Sequence, residues 1–139
     1  QPLVLKTLLE QMLATHRIDP DRLICTGLSL GGFGTWHLAV KYPRLFAGIA
    51  PICGGGNPYW LRRIAHVPAW VFHGADDSLV PLHRSLEMVN ALREADGDVR
   101  FTVYPGTGHD SWSPAYGTRE LYDWFASLRR REPPATLPV

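Results

Sequence analysis

The chain has 139 residues, 45% of them hydrophobic and 19% charged, with a formal net charge of +1. That is one domain's length with an ordinary core, and the near-neutral balance offers no electrostatic footprint for nucleic acid or an anionic membrane. No apolar run approaches the ~20 residues of a membrane span and no secretory signal stands at the start, so localisation stays open between cytoplasmic and secreted.

Taken from the N-terminus, "LVLKTLLEQMLATH" repeats apolar residues at three- and four-residue intervals, which predicts an amphipathic helix. "DPDRLICTGLS" predicts a turn and a short buried strand over Leu23 to Leu28. "GGFGTWHLAVKYP" predicts a helix that stops before Pro43. A second apolar strand follows in "LFAGIAPICGGG", then an irregular or short helical stretch in "NPYWLRRIAHV" and a third strand in "PAWVFHG". "PLHRSLEMVNALREADG" has helical spacing, with Pro81 near its first turn and Gly97 as its stop. "VRFTVYPG" alternates apolar and polar residues as a fourth strand, and "PAYGTRELYDWFASLRRR" predicts a last helix. Arg129, Arg130 and Arg131 read as its solvated end, where cations suit the helix dipole.

Strands that alternate with helices call for a parallel sheet with helices on its faces, an α/β domain. Nothing divides the chain: a single domain over residues 1–132 is followed by a Pro-rich tail at 133–139, where disorder is expected. The chain begins at Gln1 rather than Met, which fits processing, trimming or a longer parent protein. Cys25 and Cys53 each lie in an apolar segment and read as small buried hydrophobes rather than a disulfide framework.

The stretch "RLICTGLSLGGFGTW" holds a G-x-S-x-G pattern, which average usage would produce in roughly 4% of chains this long. Its context is stronger, because it follows a predicted strand and opens a predicted helix. A nucleophile on a strained turn needs small neighbours, here Gly27 and Gly31, and a helix N-terminus favours developing negative charge. The Leu30 N–H is then placed to bind an oxyanion. The plainer alternative is that Ser29 caps the helix after a glycine turn.

A serine nucleophile needs a base. Of the six histidines, His16 ends the first helix, His37 lies inside the second, His66 sits in the irregular stretch and His83 begins a helix. His73 ends the third strand. His109 stands in the glycine-rich loop "YPGTGHDSW" after the fourth strand, at the sheet's carboxyl edge, where open α/β folds bind ligands. "HGADDSLVP" offers Asp76 and Asp77 at the same edge. One can orient the imidazole while the other caps the helix near Pro81. The order Ser29, Asp77, His109 is that of a Ser…Asp…His hydrolase.

These three stretches resemble the α/β-hydrolase superfamily. They are most similar to its serine esterase and predicted peptidase branch, near the dienelactone-hydrolase and polyhydroxybutyrate-depolymerase-like enzymes. The resemblance implies Ser29 as nucleophile and His109 as general base. Its HG-x-x-D-x-x-V-P pattern, running from His73 to Pro81, implies Asp77 as the acid. Trp112 resembles a pocket-lining aromatic of this branch, with core packing as the alternative. The family's larger sheet places several strands before the nucleophile, so the expectation is a truncated α/β-hydrolase fold with about four mainly parallel strands and helices on both faces. The strand carrying Cys25 and Gly27 then becomes an edge, which predicts a homo-oligomer or a partner segment across it. With only the Leu30 N–H from the expected source, turnover should be slow.

The expected function is a serine carboxylesterase for small or short-acyl esters, with an open, shallow site walled by Trp112, Trp36 and Tyr59. The alternatives are a peptidase of the same superfamily and a non-catalytic remnant or fragment of a larger hydrolase. No metal or organic cofactor is implied, because the histidines show no ligand-type clustering with cysteine or carboxylates.

Overall fold

A computed structural model describes residues 1–135. Four strands, β1 (Ile24–Leu28), β2 (Gly48–Ile52), β3 (Ala69–Gly74) and β4 (Val99–Tyr104), pair in the order β1-β2-β3-β4, all parallel. The pairing runs in register from Ile24 beside Gly48 and Ala69 beside Val99. The α/β expectation is met, with the strands where the apolar runs placed them.

Alternation along each strand sends side chains to two separate cores. One core holds Ile49 and Val71 under α1 (Pro2–Thr15), α2 (Leu30–Lys41), α3 (His83–Glu94) and a 3-10 segment over Pro58–Ile64. The other holds Ala50, Ile52 and Phe72 under α4 (Trp112–Tyr116) and α5 (Arg119–Ser127). α2 buries Gly32, Thr35, Trp36 and Ala39, a single stripe at helical spacing. α1 is different: it buries no residue fully, and Leu3 and Val4 are 70% and 64% exposed. It flanks β1, an edge strand of the sheet.

The predicted last helix is two helices. The break falls at Gly117 and Thr118, and Thr118 has extended backbone (φ −86°, ψ 113°) before α5 begins. Glycine costs a helix about 1 kcal/mol against alanine, and the extended Thr118 completes the stop. α5 ends at Ser127, so Arg129 to Arg131 do not form a helix end. Leu128 turns extended and seats where a side chain on Gly48 would otherwise sit, 2.4 Å from its Cδ1. The arginines pair with Asp19, Asp21 and Asp98, pinning this segment along the domain. The Pro-rich tail is described only to residue 135, where it has no regular structure; residues 136–139 lie outside the described residues. Among the described residues no helix is long and apolar enough to cross a membrane.

Candidate active site

β1 delivers Ser29 at its carboxyl end, where α2 starts at the next residue. Ser29 has φ 53° and ψ −116°, a conformation that costs a non-glycine residue on the order of 1–3 kcal/mol. Its N–H donates to the Ile52 carbonyl at 2.9 Å and lies 3.3 Å from Cys53 Sγ, so β2 holds the strained turn. Gly27 makes that turn feasible: a Cβ there would stand 2.4 Å from the Gly31 carbonyl oxygen. Ser29 makes no side-chain cap, contrary to the capping alternative. Leu30 is a first-turn residue of α2, so its N–H has no intrahelical acceptor.

His109 reaches Ser29 from the loop after β4, across the full width of the sheet. Its Nε2 lies 2.9 Å from Ser29 Oγ and its Nδ1 2.7 Å from Asp77 Oδ2. The Asp77 side chain is fully buried while the His109 ring keeps some contact with solvent. A carboxylate only accepts, so His109 Nδ1 carries a proton and Nε2 is free to accept from the Ser29 hydroxyl.

Asp77 is the acid that meets His109, and neither acid caps α3 with its side chain. Its Oδ1 accepts from the Leu79 and Val80 N–H groups, both at 2.9 Å, while Oδ2 accepts from His109. It closes its own turn and does not cap α3, which begins only at His83. Burial alone would raise its carboxyl pKa, but the hydrogen bonds from His109, Val80 and Leu79 outweigh that and hold it below the usual carboxylate range. Asp76 is exposed and joins only through its backbone, whose N–H donates to the Thr107 carbonyl.

The three expected walls fare differently. Trp112 stands edge-on to His109, ring centroids 5.5 Å apart, and packs on the α4–α5 core. Trp36 is 1% exposed and belongs to the core, touching the site only as the floor of a groove that begins at Leu30. That groove, about 440 Å³, runs between α2 and the 3-10 segment past Phe33 and Trp60. Tyr59 faces another crevice beside Arg62 and Glu94, a correction with a simple cause. Successive residues of a 3-10 helix point about 120° apart, so Trp60 takes the groove side.

The sequence reading gives Cys53 only as a buried hydrophobe and His73 only as a strand end, and it names neither Ser85 nor Trp60. Cys53 has φ 42° at the end of β2, and burial pushes its thiol pKa up. Its Sγ and ligand atoms of Asp77 and His109 lie within 4.8 Å of one another, so cysteine, carboxylate and histidine do cluster in space. This corrects the expectation of no such cluster: Cys53, Asp77 and His109 are far apart along the chain, and only the pairing of the strands brings them together. Both ring nitrogens of His109 and both oxygens of Asp77 are engaged in the hydrogen bonds above.

A family model described as the prolyl oligopeptidase family matches residues 56–130, more than half of the chain. The chain is 49% identical over 59 residues to poly(3-hydroxyalkanoate) depolymerase C of Paucimonas lemoignei, covering 42% of this chain and 14% of that protein. It is 30% identical over 99 residues to carboxylesterase SOBER1 of Arabidopsis thaliana, covering 66% of this chain and 42% of that one. A solved thermostable esterase superposes with a TM-score of 0.90 at 38% identity, over 92% of this chain and 36% of that one. The chain therefore spans less than half the length of each of these relatives. The resemblance to α/β-hydrolases of the esterase branch is borne out.

Proposed function

Because the chain belongs to the prolyl oligopeptidase family, and because Ser29, His109 and Asp77 stand in one hydrogen-bonded line, we propose that it carries the catalytic centre of a serine carboxylesterase for small or short-acyl esters. The observation that carries this is the 2.9 Å approach of His109 Nε2 to a strained, helix-initiating serine.

Ser29 Oγ attacks the ester carbonyl as its proton passes to His109 Nε2. The imidazolium so formed is stabilised by Asp77, whose carboxylate stays ionised at neutral pH. The tetrahedral oxyanion meets the free Leu30 N–H at the start of α2. Collapse breaks the bond to the alcohol, which leaves with the proton from His109. Water then gives a proton to His109 and attacks the acyl-serine, and the acid departs as Ser29 recovers its proton. Leu30 is 84% exposed, which supports an open site.

Reaction with a fluorophosphonate probe, followed by hydrolysis of an activated acetate ester, tests the reading. We expect labelling of the wild type and none of Ser29→Ala, with ester turnover down at least about 10³-fold. A wild type that takes no label, or hydrolyses no faster than Ser29→Ala, overturns it. The family description favours a second reading, a peptidase. Amide cleavage demands stronger oxyanion stabilisation and protonation of a poorer leaving group, so esters are preferred here. Amide analogues cut at ester-like rates would reverse that preference.

The same reading extends to a partner. β1 is an edge strand, and beside it α1 exposes Leu3, Val4, Leu5 and Leu8. A second copy of the chain, or a partner segment, covering this flank would bury that apolar surface and pair the edge.

A further inference from the structure

One titratable side chain outside the Ser29–His109–Asp77 line is fully buried with both ring nitrogens engaged. His73, near the end of β3, is 0% exposed. Its Nε2 lies 2.7 Å from the Val80 carbonyl oxygen and its Nδ1 2.7 Å from Ser85 Oγ on α3. A carbonyl only accepts, so Nε2 carries the proton and donates it to Val80. Nδ1 then accepts from the Ser85 hydroxyl, which also lies 3.3 Å from the Gly54 carbonyl beyond β2.

His73 and Val80 are the outer residues of the stretch that curls around Asp77. The peptide groups of Val80 are thus held from both directions: its N–H by Asp77 Oδ1 and its C=O by His73. The decisive detail is at the other carboxylate oxygen. Asp77 Oδ2 is 2.7 Å from His109 Nδ1 but 3.5 Å from His73 Nε2. Two imidazole N–H groups face one oxygen, and the shorter bond goes to His109 because the proton of His73 is already given to Val80.

We propose that His73 is a positioning residue, which fixes the 74–80 loop through Val80 and Ser85 and thereby leaves Asp77 Oδ2 to His109 alone. The inference rests on the esterase reading above. Burial also disfavours a second proton on His73, so no cation forms beside Asp77 to rival the imidazolium of His109 during attack.

The test is a variant series with turnover expressed per active site, counted by fluorophosphonate labelling. His73→Phe fills the space without either hydrogen bond. Its kcat per labelled site should fall about 10- to 100-fold, as for a misplacement on the order of 1 Å, with KM little changed. The acid limb of its kcat/KM profile should move to lower pH, because a looser Asp77 stabilises the imidazolium less. His73→Gln, whose amide reaches Val80, should recover most of the turnover. A merely structural His73 would lower thermal stability and the number of labelled sites, yet leave kcat per site and the pH profile unchanged; that result overturns the proposal. If His73→Phe does not fold, His73→Asn decides. Its shorter amide reaches toward Ser85 and not Val80, so loss of kcat is expected and wild-type turnover overturns the idea. A wild type that takes no label overturns the esterase reading and this role together, whereas a labelled wild type with unaffected variants overturns only this role.

Discussion

At the carboxyl end of the sheet Asp77 accepts three hydrogen bonds, and Ser29, His73 and His109 are all bonded to neighbours from other segments. Along α1, in the same small domain, five large apolar side chains from Leu3 to Met12 face outward. One region is tied together by hydrogen bonds between the loops of different strands; the other is a helix whose Leu9 packs against the first core while five of its large apolar residues stay exposed. Most helical stability comes from packing rather than propensity. The contrast teaches that side chains at the strand ends are held by hydrogen bonds from several segments, while the α1 flank leaves apolar surface exposed.

The largest blow to the satisfied end is Asp77→Asn. An amide has one acceptor oxygen and an NH2, so it cannot accept from Leu79, Val80 and His109 together. We expect kcat for an activated ester to fall about 10⁴-fold, as when the orienting acid of such a triad becomes an amide. Turnover within tenfold of wild type would break the comparison. A smaller effect tests the same end by pH. Burial lowers the pKa values of His73 and His66 below 6.5, so the unfolded chain takes up protons that the folded chain refuses. The stability they leave intact above about pH 6.5 is lost as pH falls below it. The urea midpoint should drop between pH 7.5 and 5.5, and His73→Gln should flatten part of the drop. A pH-independent wild-type midpoint counts against it. The smallest effect belongs to the flank. Leu3→Ser combined with Leu8→Ser should leave turnover per labelled site within about twofold, since exposed substitutions shift stability little. Sedimentation should report a looser or monomeric species. Collapsed turnover would erase the contrast between the regions.

The four parallel strands and the candidate set Ser29, Asp77 and His109 were legible in the chain because each residue follows an apolar run and lies at the carboxyl end of the sheet. What escaped depends on contacts that local spacing does not encode. A glycine inside helical spacing is tolerated, so Gly117 looked harmless until the extended Thr118 made it a break, and the seat of Leu128 on Gly48 accompanies the earlier end of α5. Tyr59 and Trp60 are adjacent aromatics, and only the turn of the 3-10 segment chooses between them. Cys53 reads as a strand-end hydrophobe, yet β1–β2 pairing brings its Sγ to the Ser29 N–H. His73 was read as a strand end, because Ser85 is brought to it only by the packing of α3.

The loop holding the acid and the loop holding the base are stitched together. A Cβ on Gly74 would stand 2.1 Å from the Gly108 carbonyl oxygen, Ala75 N–H donates to Tyr104, and Asp76 N–H to Thr107. The relative placement of acid and base is therefore set within the β3–β4 pair, and Ser29 is aligned to them through the β2–β3 ladder, where the Cys53 N–H donates to the Phe72 carbonyl at 2.9 Å.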